Sequence, residues 1–217
     1  MFVVAMDWNL ISNMPRVRLL KTTAPSFRFL SFTESELVLA NAGEWRTMIL
    51  VALRTGLRHG ELLALRWEDV DVHNSRLVVR RTVWRGEEGT PKGGRAREVP
   101  LSGEAVEALR QLPSRFRKSY VFGAGDRRLT AGETKWPLWM ACRKAGIDRC
   151  GWHVLRHTFA SHLVMKGVAL KAVQELLGHT TLEMTMRYAH LSPEVRTDAV
   201  NRLDAQVGAG KEGEKAC

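Results

Sequence analysis

Glycines divide this 217-residue chain into short segments whose apolar residues recur with the spacing of an α-helix. The clearest of these segments runs from about Glu44 to Thr55 and stops at Gly56, because glycine readily takes the left-handed conformation that closes a helix. The second half of the chain is punctuated in the same way, by Gly146, Gly167 and Gly178. Helices this short are stable only when they pack on one another, so the pattern predicts a mainly α protein.

A segment with the pattern of β-strands interrupts the helices. Residues 76–84 are rich in valine and threonine, and Arg97-Glu-Val-Pro-Leu101 alternates between polar and apolar positions. Between them, residues 86–94 contain four glycines and Pro91. This pattern predicts a hairpin or small antiparallel sheet with a mobile loop that holds Lys92. The predicted fold class is therefore mainly α (α+β), a helical core with a small antiparallel β-sheet.

The compact domain is expected to begin near position 33. Thr33-Glu-Ser-Glu36 has the spacing of a capping box, which satisfies free N–H groups at the start of a helix. We expect residues 1–32 to form a connector arm, residues 33–207 one domain, and residues 208–217 a disordered polar tail. Residues 192–206 have the pattern of an amphipathic helix, which packs either on its own domain or on a neighbouring subunit.

The composition excludes several classes of protein. The apolar fraction of 45% and the charged fraction of 26% are those of a globular chain, not of a disordered or fibrous one. No apolar run approaches the roughly 20 residues that a membrane span needs. The three cysteines form neither a CxxC pair nor an even disulfide framework, so we expect a reducing, cytoplasmic setting.

Basic residues are in excess and are concentrated in the middle of the chain. The 33 lysines and arginines outnumber the 23 aspartates and glutamates, which leaves a net charge of +10. Residues 54–128 carry 16 basic and 10 acidic side chains, and residues 135–171 carry seven and one. The first expected partner is therefore a nucleic acid, and the second is an anionic membrane surface.

Three short stretches and one tyrosine carry residues suited to binding a small anion. They are Thr55-Gly-Leu-Arg58-His-Gly-Glu61, His153-Val-Leu-Arg156-His157, Leu177-Gly-His179 and Tyr188. His153 and Arg156 are three residues apart, so on a helix both project from one face toward the same anion. Taken alone, however, Arg58 and Glu61 would be a solvated surface pair, and Tyr188 a packed aromatic residue.

The histidines of the second stretch could also be read as metal ligands. His153 and His157 have the i,i+4 spacing of zinc-binding helices. The motif His-Glu-x-x-His is missing, however, and His162 falls on another face of the helix. We therefore expect no metal, and we expect His157 to be a hydrogen-bonding residue behind the site.

The order of Arg, Lys, His-x-x-Arg, Gly-His and Tyr resembles the tyrosine recombinases, the phage-type integrase family. The resemblance runs from about Thr33 to Pro193 and is densest from Gly151 to His190. It implies a helical catalytic domain that cleaves and rejoins double-stranded DNA through a 3′-phosphotyrosyl intermediate. It also implies four copies of the chain on the DNA, and no cofactor, metal or small-molecule substrate.

The resemblance assigns a role to each of seven residues. Four of them would bind the scissile phosphate: Arg58, His153, Arg156 and His179. Lys92 would protonate the leaving oxygen, Tyr188 would be the nucleophile, and Glu61 would support the site. Val154 stands where many members have aspartate, and we expect its side chain to point away from the phosphate.

Other functions fit parts of the same pattern. Members of the family usually carry an N-terminal DNA-binding domain, and only about thirty residues precede the catalytic-like region here, so we expect this chain alone to bind DNA weakly and with strong salt dependence. A non-catalytic DNA-binding or regulatory domain could keep the same fold. A type IB topoisomerase shares the chemistry, and a membrane-surface protein would share the basic charge.

Overall fold

The computed structural model describes residues 2–13, 27–91, 93–116 and 119–192. The α-helices within these ranges are α1 Phe2–Asp7, α2 Phe32–Ala40, α3 Arg46–Thr55, α4 His59–Leu63, α5 Gly103–Arg110, α6 Ala131–Lys144, α7 Trp152–Met165, α8 Leu170–Leu177 and α9 Glu183–Met186. The strands are β1 Val70–Asp71, β2 Arg76–Val79, β3 Thr82–Trp84, β4 Glu87–Gly89, β5 Arg97–Pro100, β6 Gly123–Ala124 and β7 Arg127–Arg128. The predicted fold class is confirmed. Within the described ranges, every helix is too short or too polar to cross a bilayer.

The strands form three small antiparallel sheets. The largest has the order β1-β2-β5, and in it Leu77 lies opposite Val99. Both side chains are buried, so this face of the sheet belongs to the core. β3 pairs with β4, and β6 pairs with β7. The loop expected over residues 86–94 therefore contains a strand, β4.

The segment over residues 76–84, expected to form part of a hairpin or small sheet, is divided into two strands, because the chain leaves the first sheet after Val79. Arg80 and Arg81 both bind the buried carboxylate of Asp69, at 3.0 Å and 2.6 Å. Successive side chains of a strand point to opposite faces, so two neighbours cannot reach one carboxylate while the strand continues. The two arginines thus separate β2 from β3.

Helix α3 lies at the centre of the hydrophobic core. All six residues from Met48 to Leu53 are buried, because α2, α5 and α7 pack against different sides of this helix. Helix α7 contributes Leu155 and Phe159, both buried. As expected from the sequence, α3 ends at Gly56, which has a left-handed φ of 63°.

Helix α2 begins two residues before the expected position. Ser31, not Thr33, caps it, since the Ser31 hydroxyl accepts from the Glu34 backbone N–H at 3.1 Å. The Glu34 carboxylate in turn accepts from the Ser31 N–H at 2.7 Å, which completes the capping box. Just before it, the carbonyl of Leu30 lies 2.9 Å from Nε2 of His162, so this segment is attached to α7.

Several expectations concern residues outside the described ranges. They are residues 14–26 of the arm, Lys92, the amphipathic helix from position 193 onward, and the tail over 208–217. These expectations stay predictions.

Two cysteines meet in the core. Cys142 in α6 and Cys150, just before α7, are both buried, and their sulfur atoms are 3.4 Å apart. Both are free thiols. Cys150 lies two residues before α7, the helix that carries His153 and Arg156.

Candidate active site

Arg156 is buried on α7 and joins the ends of two other helices. Its Nη1 donates to the carbonyl of Gly56 at 2.6 Å, and its Nη2 donates to the carbonyl of Leu177 at 2.7 Å. These carbonyls lie at the C-terminal ends of α3 and α8, where helix carbonyls lack intrahelical partners and carry partial negative charge. The two bonds fix the direction of the guanidinium. Burial, and then the charge of Arg58, lower the pKa of Arg156 to about 9, so it stays charged at neutral pH.

Arg58 precedes α4 and approaches the same helix end as Arg156. Its Nη2 donates to the carbonyl of Gly178 at 3.4 Å, next to the Leu177 carbonyl that Arg156 binds. Its Nη1 pairs with Oε1 of Glu61 at 2.9 Å. The Arg58 side chain is 24% exposed, so it is partly accessible from solvent, unlike Arg156.

Glu61 is fully buried and is held by two arginines. Besides Nη1 of Arg58, the backbone N–H of Arg58 donates to its Oε2 at 2.8 Å. Arg97 donates to both carboxylate oxygens, at 2.9 Å and 2.7 Å. Burial acts to raise the pKa of Glu61, but the bonds and charges of Arg97 and Arg58 outweigh it and lower the pKa, so the carboxylate is ionised. Our reading of the sequence missed Arg97, because a basic residue in an alternating strand has the pattern of a solvent-facing position.

His179 follows the left-handed Gly178, whose φ of 64° closes α8. Its Nδ1 is 2.9 Å from the hydroxyl of Thr185, which fixes the plane of the ring. Burial, followed by the charges of Arg156 and Arg58, lowers the pKa of His179 to about 3. The ring is therefore neutral at pH 7, and a neutral imidazole carries one N–H donor and one acceptor.

His153 lies in the first turn of α7, one helical turn before His157. The two rings meet edge to face, with centroids 4.6 Å apart. The His153 side chain is open to solvent on one side, yet partial desolvation and the charges of Arg156 and Arg58 lower its pKa. Val154, where the sequence departs from the resemblance, packs against the hydrophobic core.

Tyr188 is 2% exposed and is bound to His157. Its hydroxyl lies 2.7 Å from Nδ1 of His157, and the ring of Phe27 meets it edge-on at 4.9 Å. Burial raises the pKa of the Tyr188 phenol, while the charges of Arg156 and Arg187 act in the opposite direction. Burial also lowers the pKa of His157 to about 4, so the ring is neutral and can accept the phenol's proton in a hydrogen bond.

The structure thus brings Arg58, Arg156 and His179 together around the C-terminal end of α8. Tyr188 is within electrostatic reach of Arg156, but its hydroxyl is bound to His157, the residue that follows Arg156 on α7. Sequence reasoning also missed Phe27 and Arg187, whose roles depend on contacts and charges that no local pattern reports.

Lys92 is outside the described ranges, but the loop that contains it borders this site. Gly93, the next residue in the chain, lines a cleft of about 440 Å³. The other residues that line it are Arg95, Ala96, Arg97, Gly178, His179 and Thr180. A larger cavity of about 490 Å³ lies elsewhere, between Trp45, Met48 and Phe122, and no arginine or histidine lines it. We therefore place the candidate site at the smaller, basic cleft.

The described side chains favour anion binding over metal binding. Two arginines and one neutral histidine, Arg95, Arg97 and His179, line the cleft, and Glu61 is occupied by Arg58 and Arg97. Among the described residues, no group of three histidine, cysteine, aspartate or glutamate side chains could hold a metal ion. What the arrangement offers is two guanidiniums for an anion and a tyrosine hydroxyl close by.

Comparisons with known proteins identify the family of the chain. Residues 28–194 match the model of the phage integrase family. The integrase of Salmonella phage P22 is 28% identical over 215 residues, which cover 93% of this chain and 54% of that protein. The tyrosine recombinase XerC of Roseiflexus castenholzii (strain DSM 13941 / HLO8) is 33% identical over 160 residues, which cover 69% of this chain and 48% of that protein.

A solved structure gives the same result for the fold. The catalytic domain of bacteriophage HP1 integrase superposes with a TM-score of 0.64 at 26% identity, over 86% of this chain and 100% of that one. The chain spans about half the length of the curated relatives that it matches. The match to the family model and the shared fold together lead to one conclusion: the chain belongs to the phage integrase family, and its fold is that of a tyrosine recombinase catalytic domain.

Proposed function

We propose that this chain is the catalytic part of a site-specific DNA recombinase that cuts and rejoins DNA through a 3′-phosphotyrosyl intermediate. The observation that carries the proposal is the convergence of two guanidiniums and one imidazole, those of Arg58, Arg156 and His179, at the C-terminal end of α8. These three residues and His153 would hold the scissile phosphate. Tyr188 would be the nucleophile, Lys92 the proton donor and Glu61 the support of Arg58.

The chemistry explains why these residue types are needed. The Tyr188 oxygen would attack phosphorus, the bond from phosphorus to the 5′ oxygen would break, and Lys92 would protonate that oxygen. His153, whose pKa is lowered, could accept or polarise the phenol's proton. The phosphate gains negative charge as the nucleophile adds, so fixed guanidiniums stabilise the transition state more than the ground state. The phosphotyrosyl bond conserves the energy of the phosphodiester, so rejoining needs no ATP.

The resting position of Tyr188 implies a rearrangement before cleavage. The hydroxyl is buried and bound to His157, and Phe27 packs against the ring. A phosphate outside the core cannot reach that oxygen while this packing holds. We infer that binding of DNA accompanies release of Tyr188 from His157.

The expected partner is double-stranded DNA. The excess positive charge is concentrated in residues 54–128 and 135–171, which also carry five of the seven site residues, and such charge attracts the phosphate backbone whatever the base sequence. Four copies would assemble on the DNA for strand exchange. The free thiols of Cys142 and Cys150 support a reducing, cytoplasmic setting.

Covalent capture tests the proposal. The chain is incubated with a library of nicked duplexes with a randomised core, in which cleavage releases a short strand and traps the protein. Adducts that survive detergent are then isolated and sequenced. We expect an adduct whose core sequences converge on one site.

The two tyrosines of the chain provide a matched control. Tyr188→Phe should form no adduct, because it lacks the attacking oxygen. Tyr120→Phe should form adduct normally, since the partners that the described residues offer its hydroxyl, Glu88 at 3.4 Å and Arg66, lie outside the site. No adduct with the unaltered chain, or an adduct that persists in Tyr188→Phe, would overturn the proposal.

The same experiment separates the rival functions. Sequence-selective binding without an adduct identifies a non-catalytic DNA-binding domain. Adducts without sequence preference, together with relaxation of a supercoiled plasmid, identify a topoisomerase.

A further inference from the structure

The side chain of Arg97 contacts two parts of the candidate site, Glu61 and the end of α8. It begins β5, and its guanidinium spans from the sheet to two helices. Nη1 and Nη2 pair with the two oxygens of Glu61 at 2.9 Å and 2.7 Å, and Nε donates to the carbonyl of Leu176 at 3.2 Å. The side chain is only 12% exposed, so these contacts are shielded from water.

Arg97 reduces the extent to which the Glu61 carboxylate neutralises the positive charge of Arg58. A buried carboxylate between two guanidiniums is shared, and Arg97 holds it by two parallel bonds whereas the side chain of Arg58 supplies one. With Arg97 in place, Glu61 is neutralised and the positive charge of Arg58 remains for a ligand. Without Arg97, the same carboxylate would neutralise Arg58 instead.

Arg97 also ties the sheet to the helix end that carries His179. Its side chain crosses directly over Gly178, where a Cβ would come within 2.8 Å of the Arg97 Cδ. Gly178 therefore has to be glycine for two reasons, its left-handed φ of 64° and the passage of this arginine. Five residues earlier in the chain is Lys92, so Arg97 anchors the end of the loop that carries it.

We propose that Arg97 is a positioning residue of the phosphate site, which neutralises Glu61 so that Arg58 keeps its charge for the substrate and which fixes β5 against the end of α8. This proposal rests on the proposed function for its catalytic consequence, but not for the contacts themselves.

The first test measures cleavage by the full chain. Arg97→Met and Arg97→Lys are compared with the unaltered chain on the duplex selected by covalent capture, at saturating protein. We expect Arg97→Met to lower the single-turnover rate of adduct formation about 100-fold, with less than about a threefold change in duplex affinity. Arg97→Lys should lose less, since it keeps the charge but not the paired bonds.

The matched control is Arg76→Met. Arg76 lies in β2 of the same sheet and also pairs with two carboxylates, those of Asp71 and Glu98, but its side chain is 46% exposed. Its loss should leave the cleavage rate within about twofold of normal, because exposed ion pairs contribute little. Equal losses in Arg76→Met and Arg97→Met would mean that the sheet is merely weakened, and would overturn the proposal.

A double substitution separates charge compensation from a structural role. If Arg97 acts by neutralising Glu61, then Glu61→Gln added to Arg97→Met removes the carboxylate that captures Arg58. The double variant should then cleave about tenfold faster than Arg97→Met alone. A double variant as slow as Arg97→Met, or slower, contradicts this role.

A spectroscopic measurement keeps the test independent of activity. Arg97 is among the cations that lower the pKa of His179, after burial and the charges of Arg156, Arg58 and Arg187. In Arg97→Met, nuclear magnetic resonance of the His179 ring should show protonation beginning at a higher pH than in the unaltered chain, and Arg76→Met should show no such change. If no chain forms an adduct but this shift occurs, the proposed function fails and the placement of Arg97 stands. If neither the shift nor the rate change occurs, the inference about Arg97 is wrong.

Discussion

Arg156 illustrates how one side chain can be both structural and functional. It is 3% exposed, and among the described residues its bonds go not to a carboxylate but to the carbonyls of Gly56 and Leu177. These carbonyls belong to the ends of helices whose partial negative charges meet in the interior. The guanidinium thus stabilises the meeting of α3 and α8 and at the same time places a fixed positive charge at the helix end that Arg58 also contacts.

Replacing this arginine by lysine should therefore affect both stability and activity. In Arg156→Lys, one ammonium cannot reach two carbonyls in fixed directions, so one buried carbonyl loses its partner. We expect the free energy of unfolding to fall by about 2 kcal/mol, and adduct formation to slow by at least about 100-fold. Urea denaturation and covalent capture measure the two effects. Arg143→Lys, at an exposed position of α6, is the control, and equal behaviour of the two variants would contradict the prediction.

Helix α3 is more deeply buried than its own sequence pattern indicates. Its apolar residues suggest one buried face, yet every residue from Met48 to Leu53 is buried. The reason is that three helices surround it, which no pattern within one segment reports. Its end is equally constrained, because Gly56 both takes a left-handed φ and gives its carbonyl to Arg156.

Gly56→Ala should be far more damaging than the same change at another helix end. A Cβ at Gly56 would collide with the ring of Phe159, whereas a Cβ at Gly146, which has a similar φ of 70°, meets nothing within 4 Å. Both variants bear the cost of alanine in the left-handed region, about 1 kcal/mol. Gly56→Ala should lose about 2 kcal/mol more from overpacking. Thermal unfolding of both variants measures the difference, and equal losses would show that the contact with Phe159 yields without cost.

Considered as a whole, the chain holds several histidines in neutral form in partly or fully desolvated positions. Burial, as the leading cause, lowers the pKa of five of them: His59 and His157 to about 4, His179 to about 3, and His153 and His162 by a smaller amount. In the unfolded chain these rings would take up protons near pH 6.5. The unfolded state therefore binds more protons than the folded state between about pH 6.5 and pH 4.

The folded chain should accordingly lose stability on mild acidification. Stability is complete above about pH 6.5 and falls as the pH drops toward 4, because the unfolded state is the one that gains protons. His157 alone, at 9% exposure, should contribute on the order of 2 kcal/mol between about pH 7.5 and pH 5. Urea denaturation across this range measures the slope. His157→Phe should flatten the slope, and a slope that is unchanged in this variant would refute the assignment.

Binding of the chain to duplex DNA should depend steeply on salt. The site contains several positively charged side chains, and residues 54–128 and 135–171 carry more. When these side chains neutralise phosphates, counterions are released from the DNA. If about six phosphates are contacted, affinity should fall roughly 1,000-fold between 50 and 200 mM salt. Fluorescence anisotropy with a labelled duplex measures this. Nanomolar binding to one sequence at physiological salt would mean that this chain recognises DNA without help.

Local features of the fold could be predicted because their causes lie within a few residues. The stop at Gly56, the strand at Arg97–Pro100 and the helix that carries His153 and Arg156 follow from periodicity and backbone preference, which neighbouring residues set. The misplaced start of α2 was also local in cause, because the cap at Ser31 displaced the expected one. The ion pairs of Arg80 and Arg81 with Asp69 divide the segment over residues 76–84 into β2 and β3.

The order and spacing of the amino acids were enough to identify the family and to select the residues of the site. They could not reveal that Arg97 reaches Glu61 across 36 positions, that Arg156 reaches Gly56 across 100, or that Tyr188 rests on His157. Such contacts depend on how complete helices and strands pack, and packing is fixed by the sum of many weak interactions between segments far apart in the chain. Only the folded structure therefore determines that Arg97 neutralises the buried carboxylate of Glu61 and that the Tyr188 hydroxyl is bound to His157.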